Sequence, residues 1–327
     1  MAPDSLRAEH PHPVAEGAAG RAHVVILLAL YNGGTRLREQ LDSLAGQSHG
    51  NWSLIVSDDG STDDGPEVLR RFAEEHPGRE ISLIHGPRMG FAQNFLHLLR
   101  AADPDADFVS FCDQDDVWLP DKTARAVAAL SRAGPEVPAM YCGRTIHCDE
   151  ALRPLRPSPL FARPPSFSNA LVQNIGGGNT MVLNKSALRM LAAASTRVEA
   201  IVSHDWWAYQ VVSGAGGTVI YETEPGLLYR QHGANAVGAN GTTRTALQRL
   251  VRVMQGRFRD WNDQNVAALS ATADLLTPEN RALLETFRAA RAASLPRRLK
   301  LMRALGLHRQ TRRDNLALWF AVLTGRV

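Results

Sequence analysis

Three carboxylates, Asp113, Asp115 and Asp116, follow directly on the apolar run Phe108-Val-Ser-Phe-Cys112. A strand that ends in paired carboxylates can hold a hard divalent cation such as Mg2+ or Mn2+. Such ions take oxygen ligands and commonly combine one or two carboxylates with substrate phosphates. On its own an Asp-x-Asp spacing is weak, because a solvated acidic turn after a buried strand has the same pattern. Two other segments carry polar groups at equivalent places. Tyr31-Asn32 follows the apolar run Val24 to Leu30, and Asp58-Asp59 follows the strand-like Trp52 to Ser57. For Asp58-Asp59-Gly-Ser-Thr-Asp63 the plain alternative is a turn and a helix cap, since those residue types supply both.

The elements that would position these groups alternate. Val24–Leu30 reads as a buried strand, and Leu37, Leu41 and Leu44 follow at helical spacing. Trp52–Ser57 is a second strand, and Pro66 opens a helix with Val68, Leu69 and Phe72. Ile81–Ile84 is a third strand, and Phe91, Phe95, Leu98 and Leu99 mark another helix before the fourth strand, Phe108–Cys112. This alternation predicts an α/β fold with a mostly parallel, doubly wound sheet and helices on both faces. Ligands bind such sheets beyond the carboxyl ends of the strands, so the three polar groups converge on one crevice. Further on, Arg153 to Pro165 is proline-rich and reads as an irregular, mobile loop. Gly176-Gly-Gly178-Asn-Thr180 precedes a short strand at Met181 to Leu183, and Ser203-His-Asp-Trp-Trp207 follows a helix. Two more short strands fit Thr218–Tyr221 and Gly226–Tyr229. From about Thr242 the signals are helical.

The chain has 327 residues, a net charge of +3 and no apolar run long enough to span a bilayer. Residues 1–22 read as a disordered tail without the basic start and apolar centre of a secretion signal. Residues 23–240 read as the α/β domain, and residues 241–327 as a helical, basic extension. Three cysteines, Cys112, Cys142 and Cys148, form neither a disulfide framework nor a Cys-x-x-Cys pair, which fits a cytoplasmic protein.

With these segments placed, the chain resembles the inverting family 2 glycosyltransferases of the GT-A (Rossmann-like) fold. Within that family it is similar to the bacterial rhamnosyltransferase-type enzymes of surface polysaccharide synthesis. The resemblance covers roughly residues 23–240 and rests on five ordered motifs: Leu-Tyr-Asn-Gly at 30–33, Val-Ser-Asp-Asp-Gly-Ser-Thr-Asp at 56–63, Asp-Gln-Asp-Asp-Val-Trp-Leu-Pro-Asp-Lys at 113–122, His-Asp-Trp-Trp at 204–207 and Tyr-Arg-Gln-His-Gly-Ala-Asn at 229–235. The resemblance implies a nucleotide-diphosphate sugar donor, dTDP- or UDP-linked. Tyr31, Asn32, Asp58, Asp59 and Asp113 would border the nucleotide. Asp113 and Asp115 would hold Mg2+ or Mn2+ against the diphosphate, with His232 as a candidate third group. Asp205 stands where the family keeps its general base. Gly178, Asn179, His204, Trp206 and Trp207 would contact donor sugar or acceptor. Family members often have Gly-Cys-Thr where this chain has Gly178-Asn179-Thr180, which bears on sugar identity but not on reaction class.

Each of these residues also has a structural reading. His204 could be a packed or capping histidine, one of the two tryptophans a core residue, and Gly176 to Gly178 a hinge. A nucleotidyltransferase would share the crevice and carboxylates, but it calls for a basic phosphate loop, and Asn32-Gly-Gly-Thr35 contains no lysine. A non-catalytic nucleotide-sugar-binding scaffold would not need the full set of carboxylates seen here.

The C-terminal region carries a charge block. Between Arg288 and Arg313 lie Arg291, Arg297, Arg298, Lys300, Arg303, Arg309 and Arg312, with no acidic residue. Leucines alternate with these cations, and Leu316 to Leu323 is apolar. An interfacial helix on an anionic membrane surface fits this pattern, and a solvated helix face is the plain alternative. Nucleic acid is not indicated, because no recognised binding motif accompanies the charge.

Overall fold

The computed structural model describes residues 18–231 and 257–327. The first four apolar runs fold as β1 (Val24–Leu30), β2 (Trp52–Asp58), β3 (Ile81–His85) and β4 (Phe108–Cys112). Then come β5 (Val117–Trp118), β6 (Ala139–Gly143), β7 (Ile146–Cys148), β8 (Pro154–Pro157), β9 (Val182–Asn184), β10 (Thr218–Glu222) and β11 (Leu227–Arg230). The helices that matter for the site are α1 (Ala18–Arg21), α2 (Gly34–Ala45), α3 (Gly65–Glu75), α4 (Phe91–Ala101), α5 (Lys122–Leu130), α6 (Phe167–Ala170), α7 (Lys185–Ser195) and α8 (His204–Gly214). Among the described residues four more helices, Arg257–Ala271, Pro278–Ala292, Leu295–Ala304 and Arg312–Thr324, come after β11.

The main sheet runs β10-β6-β9-β4-β1-β2-β3. It is parallel except for β9, which lies antiparallel to both β4 and β6. A second sheet runs β5-β11-β7-β8. In β1 successive side chains go to opposite faces, as a pleated strand requires. Val25 and Leu27 join a core with α4, α7 and α8, while Val24, Ile26, Leu28 and Leu30 join one with α2, α3 and α5. Coverage on both faces explains why β1 reads as a continuous apolar run. Each fully buried side chain of this size contributes about 1.5–3 kcal/mol. The C-terminal helices share the first core through Phe258, Leu284, Phe287, Met302 and Leu318.

Register sets the site. Leu30 lies opposite Asp58, and Leu28 opposite Cys112. Residues 31–34, 58–63 and 113–116 therefore leave the sheet side by side. The acidic segment also connects the two sheets, because β4 precedes it and β5 follows it.

Two expectations need correction. The segment Arg153 to Pro165 is not wholly irregular. Pro154–Pro157 forms β8 antiparallel to β7. Its prolines, which lack an N–H, suit an exposed edge strand. Within the tail expected at 1–22, Ala18–Arg21 is a helical turn, and residues 1–17 lie outside the described residues. Among the described residues no helix is long and apolar enough to cross a membrane.

Candidate active site

The loop after β1 is fastened to both neighbouring strand ends. Gln114 accepts from the Tyr31 amide at 2.8 Å and donates to the Tyr31 carbonyl at 3.0 Å. A Cβ at Gly33 would push the Gln114 amide out of these two bonds. The Asn32 amide donates to Ser61 Oγ at 3.0 Å, and Asn32 Oδ1 accepts from the Thr62 amide at 2.8 Å. Asn32 thereby sits in the left-handed region at φ 49°, which asparagine tolerates better than most residues. The Tyr31 ring stays 57% exposed at the mouth.

The two aspartates after β2 have different surroundings. Asp58 accepts from the Ser61 amide at 2.9 Å and remains half-buried. Asp59 is buried, and its oxygens accept from the amides of Arg88 at 2.6 Å and Gly90 at 2.8 Å. Asp59, expected beside the nucleotide, braces the loop between β3 and α4. That brace holds Arg88 at φ 58°, a conformation that needs such support. It leaves the exposed Arg88 side chain lying over Gly60.

On the floor, Asp113 and Asp115 are half-buried and Asp116 is fully buried. Asp116 accepts from Asn179 Nδ2 through one oxygen and from the Arg230 amide, at 3.2 Å, through the other. The buried Arg230 guanidinium donates to the Asp115 carbonyl at 3.0 Å, to the Glu150 carbonyl and to the Glu39 carboxylate of α2. Burial, then repulsion from Asp116, Asp115 and Asp205, pushes the Asp113 carboxyl well above its ordinary range. Burial and Asp115 raise Asp116 to about 7, against the opposing bonds from Asn179 and Arg230. Four carboxylates thus act on one another across a small volume, a strain that a bound cation would relieve. Among the described residues no three His, Cys, Asp or Glu side chains form a preassembled metal-holding group. Oxygen donors from Asp113 and Asp115 with diphosphate oxygens added fit Mg2+ or Mn2+ chemistry. His232 lies outside the described residues.

On the opposite side stands Asp205, in the first turn of α8. It accepts from the Gly178 amide at 3.1 Å and from the Trp206 amide at 2.7 Å. The residues around it depart from expectation. His204 is buried, stacked on Phe95 at 3.7 Å and edge-on to Phe111 and Phe91. Neither ring nitrogen has a hydrogen-bond partner. Burial pulls its pKa down to about 4, against the Asp205 charge, so it is a neutral packing residue under the glycine loop. A Cβ at Gly178 would run into its Nε2. Trp206 is buried with Nε1 donating to the Ala170 carbonyl at 2.7 Å, and Trp207 is fully buried. Both rings belong to the core, where one was expected at the ligand. Asn179 is buried and its amide is directed to Asp116, so it does not present its side chain to a sugar. Gly178 meets Asp205 through its N–H.

The structure brings Asp113, Asp115 and Asp205 to one crevice, with Asp116, one of the three carboxylates of the acidic run, buried beneath it; Gln114, Arg88, Arg230 and Glu39 were given no part by the sequence reading. Gln114 lies inside the acidic motif and Arg230 lies in the Tyr-Arg-Gln-His motif. Glu39 and Arg88 carry no signal of their own.

A parallel sheet with one reversed strand, strand-end polar loops and an acidic segment feeding a second sheet defines the GT-A class of nucleotide-sugar transferase folds. Residues 25–192 match glycosyl transferase family 2, and the chain belongs to that family. It is 29% identical over 244 residues to the dTDP-rhamnosyl transferase RfbG of Shigella flexneri, covering 71% of this chain and 81% of that one. An uncharacterized Mycobacterium tuberculosis protein is 26% identical over 204 residues, and there the match spans only 57% of the relative. The structure is similar to S. aureus TarS 1–349 in complex with UDP, with a TM-score of 0.51, 13% identity, and coverage of 93% of this chain and 80% of that one.

Proposed function

We propose that this glycosyltransferase is a metal-dependent, inverting enzyme. In this reading it moves L-rhamnose from a dTDP-linked donor to a glycan or polyprenyl-linked acceptor of a cell-surface polysaccharide, on the cytoplasmic side of the membrane. The observation that carries the reading is one chain of contacts across the crevice. Asn179 ties the glycine loop to Asp116 beside Asp113 and Asp115, and Gly178 ties the same loop to Asp205. The spacing between the diphosphate end and the base is thereby held by a single short loop. The dTDP-rhamnosyl transferase relative supports the choice of donor.

Asp113 and Asp115 would hold Mg2+ or Mn2+, which would offset the charge that develops on the departing diphosphate. Tyr31 offers an exposed ring face to the base, and Asp58 an acceptor to base N–H or ribose hydroxyls. Asp205, oriented by two backbone amides, takes the proton from the acceptor hydroxyl as that oxygen attacks the anomeric carbon opposite the diphosphate. Direct displacement inverts the configuration without a sugar bound to the protein. A positioned base of this kind is worth about 10²–10⁴ in rate.

The test combines binding and turnover. Thermal shifts with dTDP, UDP and GDP, each with and without Mn2+, should show a metal-dependent rise with dTDP that Asp115→Asn abolishes. Asp205→Asn should bind dTDP-rhamnose as tightly as the parent while kcat falls about 10²–10⁴-fold. A transfer product with retained anomeric configuration would overturn the mechanism. Full turnover in Asp205→Asn would remove the proposed base.

A further inference from the structure

The last two helices expose a face that no described part of the chain covers. On Arg312–Thr324 the side chains of Leu318, Ala321 and Val322 are buried, whereas Leu316, Phe320 and Leu323 stand 74%, 36% and 51% exposed. Steps of four and three residues put these three on one side of the helix. On the preceding helix, Leu295–Ala304, Leu295 is 43% exposed. Cations accompany the stripe. Arg312 and Arg313 open the last helix, and Arg297, Lys300 and Arg303 are exposed on the one before it. None of these five side chains has a hydrogen bond or ion pair to any described residue. Other arginines of the region turn inward. Arg298 donates to the carbonyls of Val322 and Ala293, and Arg291 to Asp263 and the Val327 carbonyl. The inward arginines fasten the helices to the body, and Arg312 and Arg313, four and three residues before Leu316, leave positive charge beside the apolar stripe.

We propose that this face docks on an anionic lipid bilayer. Leu316, Phe320 and Leu323 enter the boundary between headgroups and acyl chains, and the five cations meet anionic headgroups. Charge decides among the possible occupants. A second copy joined through the same face would bring like charges together across a two-fold axis. A nucleic acid would use the cations and leave the apolar stripe in water. A bilayer with anionic lipid satisfies both, and each surface cation adds to the attraction within a Debye length. The proposal does not depend on donor, acceptor or metal, so it can fail while the reaction stands.

The experiment is flotation of the full chain with vesicles of phosphatidylcholine alone and with about 30% phosphatidylglycerol, a strongly anionic surface. The full chain should float with the anionic vesicles only. Leu316→Glu/Phe320→Glu and, separately, Arg312→Glu/Arg313→Glu should each lower the bound fraction by roughly tenfold with an unchanged thermal transition. Should the first variant fail to fold, the arginine pair decides alone, because those side chains make no hydrogen bond or ion pair to any described residue. Equal binding to both vesicle types, or wild-type binding by the arginine variant, would overturn the proposal. So would a concentration-dependent dimer, seen by light scattering and lost in the leucine variant, in a chain that does not float.

Discussion

Asn179 and His204 show that a buried polar side chain beside a crevice can act entirely on the protein. Asn179 is the donor to one Asp116 oxygen, the other accepting from the Arg230 amide. Asn179→Leu should therefore destabilise the fold by about 1–3 kcal/mol, the cost of a buried acceptor without its partner, as read from urea midpoints. It should also slow transfer, because the loop that carries Gly178 loses its anchor. A variant with wild-type stability would show that another donor reaches Asp116. His204 gives a pH prediction. Its pKa falls from 6.5 in the unfolded chain to about 4 in the aromatic cage. Between those values the unfolded state binds a proton that the folded state does not, so stability drops as pH falls from about 6.5 towards 4. The loss amounts to about 3 kcal/mol, and His204→Leu should remove that part of the slope. Lys122 behaves in the same sense at higher pH. It is buried with Nζ 3.2 Å from Ser110 Oγ and 3.3 Å from the centre of the Trp118 ring, and burial lowers it to about 7. The unfolded chain holds that proton up to about 10.5, so the wild type gains stability from pH 7 upward. Lys122→Met should be flatter in pH and more stable at neutrality, by chemical denaturation.

At the scale of elements, the acidic loop is a suspension between two sheets, and Arg230 at the end of β11 is its main fastening. Arg230→Met removes bonds to the Asp115 and Glu150 carbonyls and to Glu39 together. It should cost about 3 kcal/mol and weaken metal-dependent nucleotide binding, measured by denaturation and titration. Unaltered nucleotide affinity would mean that the loop keeps its shape without the arginine. The elements differed in how plainly the sequence announced them. β1, β2 and β4 were legible because strands covered on both faces appear as unbroken apolar runs. β5 has two residues and β7 three, too short for any periodicity, and β8 lies exposed between two prolines. The ends of β1, β2 and β4 pointed to the crevice for the same topological reason. Which of Asp58 and Asp59 turns inward, or whether Trp206 faces ligand or core, depended on partners distant in sequence, Arg88 and Ala170 among them. Side-chain direction in a loop or a first helical turn is set by such contacts, and a local pattern does not carry it.

For the molecule as a whole, the C-terminal helices complete a core that the sheet begins. Val25, Leu27 and Phe111 share one apolar cluster with Phe287, Met302 and Leu318. A chain ending at residue 240 would expose that surface, so it should bind a hydrophobic dye and lose cooperative unfolding, while the full chain melts in a single calorimetric transition. Two resolved transitions in the full chain would instead indicate separate folding units. The reversed strand β9 has a consequence of another kind. Because β6 and β4 run one way and β9 the other, the excursion from Arg144 to Met181 departs from the crevice rim and comes back to that rim. Both of its attachment points are rim positions, while the register of β1, β2 and β4 is settled elsewhere. The middle of the excursion, between β8 and α6, can thus be lengthened or exchanged while Glu150, Gly178 and Asn179 keep their contacts across the crevice.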